Sequence, residues 1–102
     1  MIWIERLAHP LLPRRAKEYA QAVEHYTVSL GFQPSNTSVR GNRAAAYIKL
    51  RMWNEAVADC DVALESDANN IKARVRRAAA RMELGKAAEA MEVSELVRAT
   101  GF

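Results

Sequence analysis

Residues 37–66, TSVRGNRAAAYIKLRMWNEAVADCDVALES, read as two helices joined by a short turn. Thr37 to Leu50 forms the first helix, with Val39, Ala44, Tyr47 and Ile48 on one face. Trp53 to Ser66 forms the second, with Trp53, Val57, Cys60 and Leu64 in an i, i+4, i+7, i+11 stripe. Ala44 and Ala56 supply the small side chains that two closely packed helices require. Leu50, Arg51 and Met52 make the turn, and Asp67, Ala68, Asn69 and Asn70 break the chain, with asparagine suited to stopping one helix and capping the next.

Working outward, the same pattern recurs every 34 residues: Ala22, Ala56 and Ala90; Tyr19, Trp53 and Ala87; Tyr26, Cys60 and Ser94; Ser29, Ala63 and Val97; Asn36 and Asn70. The third unit covers 71–100, and glycine's preference for helix C-termini predicts a split into two helices at Gly85. Ala90, Val93 and Val97 are then its packed flank, and Glu89, Glu92 and Glu95 its wet one. Ala87 and Ser94 stand where earlier units have bulkier residues, so this pair packs less area and opens more easily. The first unit retains only its second helix, 17–31, with Tyr19, Ala22, Val23, Tyr26 and Leu30 inward and Pro34 beyond its end. Residues 1–16 replace the first helix, because Pro10 and Pro13 fall where a helix interior would lie and each costs roughly 3 kcal/mol there. The expectation is an irregular apolar arm whose Trp3, Leu7, Leu11 and Leu12 cover the neighbouring helices, followed by a repeat domain at 17–102.

The composition fits such a domain. At 102 residues, 50% hydrophobic but with only 7% aromatic residues, the chain builds a thin, alanine-rich core. No uncharged apolar run reaches the ~20 residues of a membrane helix. The proline-interrupted opening, with Glu5 inside it, argues against a cleaved targeting signal. The lone Cys60 has no partner for an internal disulfide and sits on a packed face, which suits a reducing, cytoplasmic setting. His9 and His25 lack thiol or carboxylate partners at triad or metal spacing, and no phosphate loop is present, so no catalytic or metal site and no cofactor is expected.

The charges sort by helix. First helices of the second and third units carry eight basic residues, Arg40, Arg43, Lys49, Lys72, Arg74, Arg76, Arg77 and Arg81, against Glu83 alone. Second helices carry nine acidic residues against three basic ones. A basic groove with an acidic back attracts an acidic ligand to one side and opposes wrapping by nucleic acid, despite the sequence pI near 9.4. Ser38, Asn42, Ala45 and Lys49, then Lys72, Arg76, Ala79 and Glu83, recur at spacings of four, three and four as the groove-facing set. Asn42, Lys72 and Arg76 offer an amide, an ammonium and a guanidinium suited to a carboxylate, while Ala45 and Ala79 leave room for a peptide and Lys49 adds charge. Arg43 and Arg77 lie nearer the packing seam, where a structural role is favoured.

A 34-residue helical pair is the unit of tetratricopeptide arrays. Residues 17–96 resemble the carboxylate-clamp domains of that family found in chaperone-associated proteins, most clearly GNRAAAY at 41–47 and IKARVRRAAA at 71–80, followed by Met82, Leu84, Gly85 and Lys86. The second piece also resembles the repeat domain of a serine/threonine phosphatase. The resemblance implies an all-α, right-handed solenoid of about two and a half helical hairpins with five main helices. It implies a non-enzymatic, co-chaperone-like adaptor holding the acidic C-terminal tail, Glu-Glu-Val-Asp, of a heat-shock protein of the 70 or 90 type through Asn42, Lys72 and Arg76. Leu7 and Leu11 occupy the register of the family's remaining clamp lysine and asparagine, so the clamp is incomplete and binding weaker. Two other readings are a scaffold or homo-oligomer joined through uncovered terminal helices, and the targeting part of a larger enzyme.

Overall fold

In a computed structural model, which describes residues 14–100, four helices follow one another: α1 (Arg14–Phe32), α2 (Thr37–Lys49), α3 (Trp53–Ser66) and α4 (Ile71–Thr100). The all-α expectation holds and the expected five helices do not, because 71–100 is one continuous helix. The expected arm with Trp3, Leu7, Leu11 and Leu12 lies outside the described residues, except that residues 14–16 are already helical. Arg14, Arg15 and Ala16 all favour helix.

Local chemistry sets the boundaries. Asn36 is extended (φ −74°, ψ 95°) and its Oδ1 accepts from the Val39 N–H at 3.1 Å, capping α2. Asn70 does the same one repeat later, accepting from the Ala73 N–H at 3.1 Å. At the far end of α2, the Arg51 N–H donates to Ile48 O at 3.0 Å and the Met52 N–H to Tyr47 O at 2.9 Å. These bonds need Arg51 at φ 59°, a left-handed conformation that normally favours glycine.

Successive helices pack as neighbours, α2 also meets α4, and α1 does not touch α3. First helices of adjacent repeats therefore line one side of the array. Val23, Ala46, Tyr47, Ala56 and Ala80 form the core, bordered by Tyr26, Ile48, Leu50, Met52, Trp53 and Val57. Ala44 and Ala56 are fully buried, so small side chains do occupy the close approach of α2 and α3.

A buried ion pair ties three helices. Asp59 on α3 is 4% exposed and receives the Arg43 Nε and Nη2 of α2 at 2.8 and 2.6 Å. Arg43 Nη1 reaches Thr27 Oγ1 on α1 at 3.2 Å, while the Thr27 hydroxyl donates to Val23 O at 2.7 Å. Arg43 also lies 5.6 Å from the centroid of the Tyr47 ring. Hydrogen bonding to Asp59 raises the Arg43 pKa against the opposing effect of burial, so the pair stays ionised. Asp59, grouped by sequence with the acidic back, is instead the anchor of the seam.

Helix α4 departs most from expectation. Gly85 stands 34 residues after Arg51, in the register of the turn, yet its backbone stays helical. Ala90 and Val93, expected to pack, are exposed, as are Met91 and Val97. The returning helix would carry Ala87, Val93 and Ser94 where α3 has Trp53, Asp59 and Cys60. It would lose an aromatic anchor and the carboxylate that answers Arg43, so little opposes continuation of an alanine-rich helix. The radius of gyration is accordingly 16.2 Å, against about 13 Å for a compact chain of this length.

Two stability measurements test this account. Asp59→Ala strands a buried guanidinium and lowers stability by about 3 kcal/mol or more, a fall in melting temperature of at least ~10 °C. Arg51→Gly relieves the left-handed strain and stabilises by about 0.5–1 kcal/mol in urea unfolding. No gain there would contradict the turn geometry.

Candidate functional site

The two asparagine caps bring the first turns of α2 and α4 side by side. Between them lies a cleft of about 160 Å³ lined by Thr37, Ser38, Gly41, Asn42, Asn70, Lys72 and Arg76. Three of the residues singled out from sequence, Asn42, Lys72 and Arg76, thus share one cavity. Arg76 Nη1 donates to the Gly41 carbonyl at 2.9 Å, bridging adjacent repeats and leaving its other guanidinium N–H groups for a ligand. A Cβ at position 41 would sit 3.1 Å from that nitrogen, so glycine provides the approach.

A second hollow, about 280 Å³, is lined by Tyr19, Ala22, Tyr26, Asn42, Ala45, Ala46 and Lys49. Asn42 borders both cavities, and Ala45 and Lys49 line the second. Ala79 is exposed on α4 and lines neither. The register positions Leu7 and Leu11 lie outside the described residues. Sequence reading assigned Tyr19 and Tyr26 to the core, yet each is half-buried and presents a face to this hollow. Their spacing of seven residues on a helix beside the groove was the available signal.

The charge segregation is partly consumed at the seam. Arg43 pairs with Asp59, and Arg77 Nη1 pairs with Asp61 Oδ1 at 3.0 Å, which is the structural role favoured for both. Arg40 reaches Asp59 at 3.5 Å and donates to Pro34 O at 2.7 Å. Lys72 and Lys49, by contrast, pair with no carboxylate among the described residues. Two helix N-termini, a free ammonium, a guanidinium and an amide make the first cleft a setting for an anion. The second hollow, with two tyrosines and two alanines, suits apolar atoms flanked by Lys49.

Cys60 is 1% exposed, and burial pushes its thiol pKa up, opposite to what a nucleophile needs. His25 is exposed. No described helix is long and apolar enough to cross a membrane.

Comparison with known proteins gives a consistent set of relatives. The chain is 37% identical over 83 residues to serine/threonine-protein phosphatase 5 of Homo sapiens, a match covering 81% of this chain and 17% of the phosphatase. It is 44% identical over 75 residues to sperm-associated antigen 1 of Rattus norvegicus, covering 74% and 8% of the two chains. To the heat shock protein sti1 homolog of Schizosaccharomyces pombe it is 41% identical over 66 residues, covering 65% and 11%. The chain thus spans less than a fifth of the length of each of these relatives. No family model matches the chain, and no solved structure matches it significantly.

The buried thiol offers a direct check of the site's chemistry. Native Cys60 reacts with a soluble aromatic disulfide on the order of 100-fold more slowly than in urea. Equal rates would place the thiol at the surface and reopen it as a nucleophile.

Proposed function

For a chain homologous to the tetratricopeptide regions of chaperone-associated proteins, we propose the function of a non-catalytic protein-interaction module that binds the acidic C-terminal tail of a partner protein. The observation that carries this reading is the cleft in which Asn42, Lys72 and Arg76 meet beside the N-termini of α2 and α4. Lys72 is the free positive charge there. Arg76 is held in place by Gly41 and directs its remaining N–H groups outward, and Asn42 links this cleft to the tyrosine-lined hollow.

In this reading the terminal carboxylate of the peptide sits against Lys72, Arg76 and the Asn42 amide. The preceding residues run over Ala45 toward Tyr19, Tyr26 and Lys49, and Ala79 leaves the opposite wall open. Charge-assisted hydrogen bonds of about 1.5–3 kcal/mol each supply the specificity, because an amidated terminus leaves the cationic groups unanswered. Relatedness to a heat shock protein sti1 homolog supports a heat-shock protein of the 70 or 90 type as the partner. Three cleft groups rather than five make the affinity modest and strongly dependent on salt.

Titration of a peptide ending in Glu-Glu-Val-Asp, followed by calorimetry, tests the reading. Amidating the C-terminus weakens binding at least about tenfold, and Lys72→Ala does the same without changing the melting temperature, because Lys72 makes no contact that holds the fold. Equal affinity for the free and amidated peptides would exclude the carboxylate role.

A further inference from the structure

The 34-residue register pairs two faces of α4 that the straight helix keeps apart. Ala44 and Ile48 of α2 pack toward α3, and their equivalents on α4 are Ala78 and Met82. Ala44 is fully buried, whereas Ala78 is exposed and Met82 is 64% exposed, with Val75 beside them. Ala56 and Val57 of α3 correspond to Ala90 and Met91, and again the first pair is covered while Ala90 is exposed and Met91 is 67% exposed. In the second repeat these faces meet because the chain turns at Arg51. In the third it runs straight through Gly85, and a rise of 1.5 Å per residue leaves Ala78 and Ala90 about 18 Å apart.

We propose that two copies of this chain exchange the helical segment 86–100, each seating it on residues 71–84 of the other. The occupant is a second copy for three reasons. The two faces descend from the same register that packs α2 against α3, so each is shaped for the other. Their charges are opposite: 71–84 carries Lys72, Arg74, Arg76, Arg77 and Arg81 against Glu83, whereas 86–100 carries Glu89, Glu92 and Glu95 against Lys86 and Arg98. Arg74 and Arg81 have no carboxylate partner among the described residues. Finally, an exchange about a two-fold axis is closed, so one dimer covers both faces of both copies.

Gly85 is the hinge. It holds the place of Arg51, whose φ is 59°, and glycine adopts that conformation without strain. A Cβ there would meet nothing within 4 Å, so alanine fits the straight form and opposes the turned one. The exchange uses a face distinct from the peptide cleft and stands whether or not the cleft binds a peptide.

Sedimentation of the unmodified chain over a hundredfold concentration range shows a monomer–dimer equilibrium, and Gly85→Ala tightens it at least about fivefold. In a Cys60→Ala background, chains carrying Ala78→Cys and Ala90→Cys separately, mixed and oxidised, give a disulfide-linked dimer between the two. A concentration-independent monomer overturns the proposal. So does a dimer without that cross-link, and so does a doubly substituted chain that closes a disulfide on itself, since the segment would then be folding back within one copy.

Discussion

The structure depends on a carboxylate that water cannot reach. Asp59 lies at the contact of α2 and α3 with both oxygens turned to basic groups, and Arg43 spans from it to Thr27 on α1. Arg77 with Asp61 repeats the Arg43–Thr27 contact 34 residues later, each reaching a residue 16 positions back. The forward half of the device does not recur, since Val93 stands where a second Asp59 would be. The lock that sets the angle between helices therefore reaches as far as the start of α4 and ends there. Buried ion pairs contribute little net stability but penalise every arrangement in which one member is stranded, so they act on geometry.

The cleft inherits its form from the same arrangement. Packing both α2 and α4 against α3 brings their N-termini together, and the Asn36 and Asn70 caps hold those first turns in place. Arg76 then reaches Gly41 only because position 41 lacks a side chain. The anion-facing residues sit on helices locked by a buried network, which limits how far they can be displaced. The outer half of α4 has no such support, so the molecule combines a fixed groove with an uncommitted edge.

Much of this was legible in the chain. The recurring Ala22, Ala56 and Ala90, the stripe from Trp53 to Leu64 and the caps Asn36 and Asn70 led to the helix boundaries of the second repeat, because period and capping are local properties. Asn42, Lys72 and Arg76 could be grouped because residues at one register position of successive repeats share a side of the array. Tyr19 and Tyr26 were harder to place, since an aromatic at helical spacing reads as core whether or not one of its faces remains open. Ala79 satisfied the spacing rule and still lies beyond both cavities.

The sequence by itself determined that the chain is all-helical, where α2 and α3 begin and end, and which positions of adjacent repeats fall together. Hydrophobic periodicity, side-chain caps and turn residues act within a few residues of one another, so they are written in the order of the chain. Only the tertiary structure decided that Asp59 is buried while Asp61 remains half-exposed, that Arg40, Arg43 and Arg77 serve the seam while Lys72 stays free, and that α4 runs straight through Gly85. Those outcomes turn on whether a distant helix supplies enough buried surface and a matching charge to offset desolvation and to compensate for leaving a continuous helix.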